Sequence, residues 1–155
     1  MKSRLSIIDA RTRRVHNVGL PTPDWGALAA DAHSVWMTSN SELFHLSADG
    51  TRVRGSLAIP QAPVTIGAGF VWALNPVTNV VAQIDPVTNG IVRTTPVGAD
   101  PADVAYGAGS VWVASQDGTV TRVDPRGGGV QATIHVGGTP ESIAVGLGRV
   151  WVTVA

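Results

Sequence analysis

Hydrophobic positions along the chain fall in short runs rich in Val, Ile, Ala and Thr, and no window sustains an apolar period of 3.6 residues. In the clearest stretch, residues 103–106, 110–114, 119–124 and 130–136 read as strands. Gly107-Ala108-Gly109, Gln116-Asp117-Gly118 and the stretch from Pro125 to Gly129 separate them as turns. Asp-Gly and Gly-rich loops supply the positive φ that tight antiparallel hairpins need. The pattern predicts four strands, three hairpin turns and no helix.

This unit recurs along the chain. Val-Trp occurs four times, with Trp36, Trp72, Trp112 and Trp151 spaced by 36, 40 and 39 residues. The strand-end residues Asp9, Ser47, Asp85 and Asp124 keep step, 38, 38 and 39 apart. Ile66-Gly67-Ala68-Gly69, Tyr106-Gly107-Ala108-Gly109 and Val145-Gly146-Leu147-Gly148 precede three of the tryptophans. A four-stranded antiparallel unit at this period is the blade of a β-propeller. The expected fold is therefore all-β, a propeller of four-stranded antiparallel blades with strands A to D running from channel to rim. The chain divides into a C–D half-blade (1–20), blades at about 21–60, 61–99 and 100–137, and an A–B half-blade (138–155).

Three modes of closure follow from that count. The terminal halves could join into one blade of a four-blade ring, with the last B strand pairing with the first C strand. Two chains could exchange half-blades around a two-fold axis and complete an eight-blade ring as a homodimer. The chain could also be a slice of a longer gene product.

Composition narrows the function classes. Charged residues make up 14% of the chain, and 11 Lys and Arg balance 11 Asp and Glu, so no net field draws it to nucleic acid or anionic lipid. No nucleic-acid partner and no membrane insertion are expected, since no apolar run is long enough to span a bilayer. There is no cysteine, hence no disulfide, thiolate ligand or cysteine nucleophile. The apolar stretch from Leu5 stops at Asp9, too short for a signal peptide, and the compartment stays open.

Asn75-Pro76-Val77-Thr78-Asn79, Ile84-Asp85-Pro86-Val87-Thr88-Asn89-Gly90, Pro96-Val97-Gly98-Ala99-Asp100-Pro101 and Gly109-Ser110-Val111-Trp112-Val113-Ala114 resemble the repeats of bacterial YVTN-type β-propellers. That superfamily includes virginiamycin B lyase-like propellers. The resemblance is clear over residues 75–155 and weaker over 6–74. It implies the propeller fold, and a choice among binding modules, surface proteins, sensor or regulator appendages and a few enzymes. Relatives of this kind are often exported. Virginiamycin B lyase-like enzymes use a histidine and a metal-binding acid in loops over the channel, and no histidine of this chain falls in a matching loop.

The repeated residues have structural work to do. The four strand-B tryptophans are expected to pack between blades, and Asp85 and Asp124 to cap the C–D turns. His16, His33, His45 and His135 scatter in repeat coordinates, and no zinc or calcium spacing appears. No metal, cofactor or catalytic residue is assigned. Gly127-Gly128-Gly129 lies in a hairpin without the following helix of a phosphate loop.

What remains is the loop face beside the channel, where propellers place ligands. It is expected to carry Asp24, Trp25, Gln61, Asp100, Asp103 and Glu141 from D–A loops, and Asn40, Asn75, Gln116 and Asp117 from B–C loops. Trp25 departs from the repeat, where the equivalent positions hold Gln61, Pro101 and Pro140. It is either an exposed binding anchor or a plug in a degenerate first blade. The leading reading is a non-enzymatic module that binds a protein, peptide or glycan on this face. The alternatives are a lyase or hydrolase with a metal held by Asp24, Asp100, Asp103 and Glu141, and a purely structural repeat segment.

Overall fold

The computed structural model describes residues 4–20 and 24–155, with Trp25 described by its backbone alone. The expected boundary between half-blade and first blade, at residues 20 and 21, falls against residues outside that description. The described residues form sixteen strands and no helix. An N-terminal hairpin pairs β1 (Arg4–Ile8) with β2 (Val15–Gly19). Blade 1 is β3 (Trp25–Ala30), β4 (Ser34–Ser39), β5 (Leu43–Ser47) and β6 (Val53–Leu57). Blade 2 is β7 (Val64–Gly67), β8 (Phe70–Asn75), β9 (Val80–Asp85) and β10 (Gly90–Pro96). Blade 3 is β11 (Pro101–Gly107), β12 (Ser110–Ser115), β13 (Thr119–Val123) and β14 (Val130–His135). A C-terminal hairpin pairs β15 (Pro140–Gly146) with β16 (Arg149–Val154).

Every pairing is antiparallel and sequential, A to B to C to D. The inner strands β3, β7, β11 and β15 lie side by side in that order. The core is split into wedges between successive blades. Trp36 packs with Ile59, Val64, Val71 and Ile84 between blades 1 and 2, and Trp72 with Val104, Val111, Val113 and Val123 between blades 2 and 3. A third, thinner wedge sets Ala114, Val120 and Trp112 against Ile143 and Val152. Three tryptophans thus pack against the next blade as their repeat position predicts. Trp151 has no next blade and is 52% exposed, against 0% for Trp36 and Trp72.

The turns explain why these residues make hairpins. In the C–D turns, Asp9, Asp85 and Asp124 each accept a backbone N–H two residues on, from Arg11, Val87 and Arg126. Arg13, Asn89 and Gly128 then donate N–H to the carbonyl of the same aspartate, and all three have positive φ. The N-terminal hairpin is therefore built like the C–D half of a full blade. Three of the A–B hairpins share a second device: the indole N–H of Trp72, Trp112 and Trp151 donates to the carbonyl of Gly67, Gly107 and Gly146, whereas that of Trp36 donates to the Ser34 hydroxyl.

The terminal half-blades do not join within one chain. β1 pairs only with β2 and β16 only with β15, so the four blades' worth of strands form an open arc.

Candidate functional site

The D–A and B–C loops interlock into one hydrogen-bonded rim. The D–A loops that follow blades 1, 2 and 3 each tie back to the preceding B–C loop through backbone bonds: Gln61 N–H to Asn40 carbonyl, Val97 N–H to Asn79 carbonyl, and Val136 N–H to Gly118 carbonyl. These bonds satisfy the backbone groups of the loops within the chain itself.

Two groups of the expected site residues come together on this rim. At blade 1, the amide of Asn40 donates to the Asp24 carboxylate at 3.0 Å, and the Gln61 side chain lies over the backbone of Gly26, where any Cβ would collide with it. At blade 3, the Asp117 carboxylate accepts N–H groups from Ala99 and Thr119 and the Thr119 hydroxyl, while Gln116 N–H donates to the Asp100 carbonyl. Asp100 N–H reaches Asn79 Oδ1, and Asp100 itself sits at φ 51°, a left-handed conformation that Asp tolerates better than most residues.

Burial raises the Asp117 pKa, but the bonds from Thr119 and Ala99 outweigh it, with His135 adding a smaller attraction, so the pKa ends below the usual carboxylate value. Asp117 is thus firmly ionised at neutral pH. Asn75 stands apart, its side-chain oxygen consumed by the N–H groups of Val77 and Thr78 in an Asx turn.

Three residues expected in D–A loops, Trp25, Asp103 and Glu141, lie instead on inner strands. Asp103 is inside β11, where Oδ1 accepts the N–H of Val104 and Oδ2 accepts the Ser142 hydroxyl and the Ile143 N–H of the neighbouring hairpin. It is a tie between blades. Glu141 is inside β15 and exposed, at a register shift between Pro140 and Ser142. β11 carries the same shift between Pro101 and Asp103. These bulges begin the inner strands earlier than the hydrophobic pattern alone suggests. Trp25 opens β3, paired with Ser39 through its backbone, and its side chain lies outside the described atoms.

The sequence reading missed two features. Glu42 adds a carboxylate to the first B–C loop and accepts the Ser56 hydroxyl; its signal was the acidic end of Asn40-Ser41-Glu42. On the opposite face, a cleft of about 500 Å³ between blades 1 and 2 is lined by Asp31, His33, His45, Arg54 and Asn89 among others. His45, buried to 4% exposure, stacks on Trp36 at 4.2 Å and bonds Asn89 Oδ1 through Nδ1. No group of three or more His, Asp or Glu side chains suited to a metal gathers among the described residues.

No family model and no curated protein matches the chain. Solved structures match it well in shape. Over 97% of this chain, a streptogramin B lyase structure superposes with a TM-score of 0.81 at 18% identity, covering 55% of that protein. The fold is that of a β-propeller. BamB from Moraxella catarrhalis gives a TM-score of 0.70 at 20% identity, over 87% of this chain and 45% of that one. Hydrazine synthase of Kuenenia stuttgartiensis gives 0.71 at 14%, over 80% and 39%. The chain thus spans from about two-fifths to just over half of the length of these structures. At such identities the likeness concerns the blades alone, and the neighbours' names already cover unlike functions.

Proposed function

We propose that this chain is a non-enzymatic β-propeller module that binds a basic peptide segment of a partner protein on the rim formed by its D–A and B–C loops. The observation that carries the reading is charge. Among the described residues, those loops hold Asp24, Glu42, Asp100 and Asp117 and no Lys or Arg. A rim of one sign held rigid by its own hydrogen bonds attracts the opposite charge and sets where it docks. The repeat landmarks around Asp85-Pro86 and Asp124-Pro125 support placing the chain with bacterial YVTN-type propellers, whose members include binding modules. The metal-dependent lyase reading is weaker because Asp103, one of its four ligands, spends both oxygens on Val104, Ser142 and Ile143.

The test is a titration of the labelled protein with a short Lys-rich peptide and its Glu-rich counterpart, followed by amide chemical shifts. The Lys-rich peptide should perturb the amides around Asp24, Gln61, Asp100 and Gln116, and the effect should weaken as salt is raised. Asp24→Asn combined with Asp100→Asn should reduce it, since both changes remove charge while keeping shape. No perturbation by the Lys-rich peptide, or perturbation confined to the opposite face, would overturn the reading.

A further inference from the structure

Blade 1 departs from the repeat on the face opposite the rim. Counted back from the strand-B tryptophans, Asp31 and His33 stand where blade 2 has Gly67 and Gly69 and blade 3 has Gly107 and Gly109. Each D strand bulges once against its C strand, and at that bulge Arg54 takes the place of Val92 and Gln131. Three positions that carry no charge in the other complete blades thus hold Asp, His and Arg here. All three line the cleft of about 500 Å³ between blades 1 and 2. A space of that size suits a small molecule, for which about 300–1,000 Å³ is usual.

Two opposite charges in the cleft are anchored on one residue. Asp31 Oδ1 accepts the N–H of His33 at 2.8 Å, along with the N–H and hydroxyl of Ser34. Arg54 donates to the His33 carbonyl at 3.4 Å. Carboxylate and guanidinium therefore flank the backbone of His33, and among the described residues neither bonds the other. Asp31 Oδ2 and the remaining N–H groups of Arg54 stay available. The facing wall is apolar: Ile66 and the buried Val71 come from β7 and β8, and Pro86 and Val87 from the C–D turn of blade 2, with Val87 86% exposed.

The cleft is also coupled to a buried tryptophan. The Trp36 indole N–H donates to Ser34 Oγ at 3.0 Å, and the Ser34 hydroxyl donates on to Asp31. His45, which lines the cleft, stacks on the same indole and bonds Asn89 in the C–D turn of blade 2, as Gln83 bonds the Pro125 carbonyl in the next wedge.

We infer that this cleft binds a free α-amino acid with a large apolar side chain. Its carboxylate pairs with the Arg54 guanidinium, a planar fork suited to two parallel bonds. Its ammonium group pairs with Asp31 Oδ2, and its side chain lies along Ile66, Val71, Pro86 and Val87. An α-amino acid carries its two charges on neighbouring carbons, which matches charges held at the N–H and the carbonyl of a single residue. A simple anion would meet repulsion from Asp31, and a simple cation would meet it from Arg54. This inference is independent of what the loop rim binds.

The test is a titration of the isotope-labelled chain with L-phenylalanine, followed at the Trp36 indole N–H and at the amides of His33, Ser34 and Val87. Hydrocinnamate, which lacks the ammonium group, and phenethylamine, which lacks the carboxylate, are titrated beside it. L-phenylalanine should give saturable shifts at those groups, and each analogue should bind about tenfold more weakly, the usual effect of losing one charged hydrogen bond. Arg54 is exposed and bonded only to one carbonyl, so Arg54→Gln should leave the circular dichroism spectrum unchanged. That variant should weaken L-phenylalanine by about tenfold without weakening phenethylamine. Asp31→Asn, which keeps a side-chain oxygen for the turn, should weaken L-phenylalanine without weakening hydrocinnamate. No saturable shift at millimolar L-phenylalanine, shifts confined to the rim, an analogue that binds as tightly as the amino acid, or unchanged binding by Arg54→Gln would each overturn the assignment.

Discussion

Asp103 accepts a 2.8 Å hydrogen bond from the hydroxyl of Ser142, a residue one full repeat later in the chain. The same carboxylate oxygen takes the N–H of Ile143 at 2.9 Å, so one acidic side chain on β11 pins the neighbouring inner strand β15. Bonds to an ionised acceptor are worth about 1.5–3 kcal/mol each when partly shielded from water. Asp103→Ala should therefore lower unfolding stability by roughly 2–3 kcal/mol in chemical denaturation, after discounting for the partial exposure of the site. A loss below about 0.5 kcal/mol, the range of an ordinary surface change, would show that the contact is not a structural tie.

Gly67 is where the ring of Tyr106 rests directly on the backbone of blade 2. A Cβ there would land inside that ring, and the nearest obstacles are its own carbons close to the attachment point, which cannot swing away. Gly67→Ala should destabilise by about 1–3 kcal/mol, the cost of forcing extra volume into a packed contact. Gly129→Ala, with nothing within 4 Å of the added carbon, serves as the comparison and should stay within about 0.5 kcal/mol of the parent. Thermal unfolding of the two variants side by side decides the matter.

Trp72 is fully buried between blades 2 and 3, its indole N–H bonded to Gly67 and its ring edge-on to Phe70. Trp72→Ala should cost about 3–5 kcal/mol, enough to consume much of the stability of a domain this size. Trp72→Phe restores part of the volume but leaves the Gly67 carbonyl without its donor, and should fall between. Equal stability for the three proteins would mean that the wedge is not what holds blades 2 and 3 together.

Five aspartates sit in turns that lower their pKa. Backbone bonds from Thr12 lower Asp9, and those from Arg126 and Gly127 lower Asp124. Burial raises Asp31 and Asp117, yet hydrogen bonds outweigh it in both. The Ser47 hydroxyl, with the N–H and hydroxyl of Thr51, brings Asp49 down to about 2. Each folded value lies below the unfolded one of 3.8, so the unfolded chain binds more protons in this range. The contribution of these turns is complete above about pH 4 and is lost as pH falls through the folded values, with Asp49 the last to yield near pH 2. Melting temperatures measured from neutral pH downward should stay level to about pH 4 and then drop. A rise in stability on acidification below that point would contradict the assignment.

Much of the fold was legible because its signals are local. A hairpin needs positive φ at one or two positions, and Asn79, Asn89, Gly118 and Gly128 announce those positions in the residues themselves. An aspartate that caps a turn finds its donors two and three residues away, so Asp85 and Asp124 could be assigned their work from sequence. The tryptophan period marked the blades because each blade needs one large wedge at one place. The candidate rim was legible in part: Asp24, Asn40 and Gln61 come together, as do Asp100, Gln116 and Asp117. Asp103, read both as the first residue of a strand and as a loop residue, and Trp25 and Glu141, read as loop residues, all sit on inner strands that begin at bulges, because a bulge lengthens a strand without changing its hydrophobic pattern.

Sequence alone sufficed for the number of strands, their order, the blade period and the capping role of Asp85 and Asp124, all of which rest on contacts between near neighbours in the chain. It was silent on which of four equivalent tryptophans would be bare, on Asp103 belonging to Ser142 and Ile143, and on the common reach of His45 and Gln83 toward the next blade's turn. Those facts depend on partners about forty residues away, and on how far each blade rotates from the last. That rotation is a sum over packed side chains in the wedges, and no single residue carries it. Trp72 and Trp151 share the same local motif, and only the presence of a following blade puts one in the core and leaves the other in water.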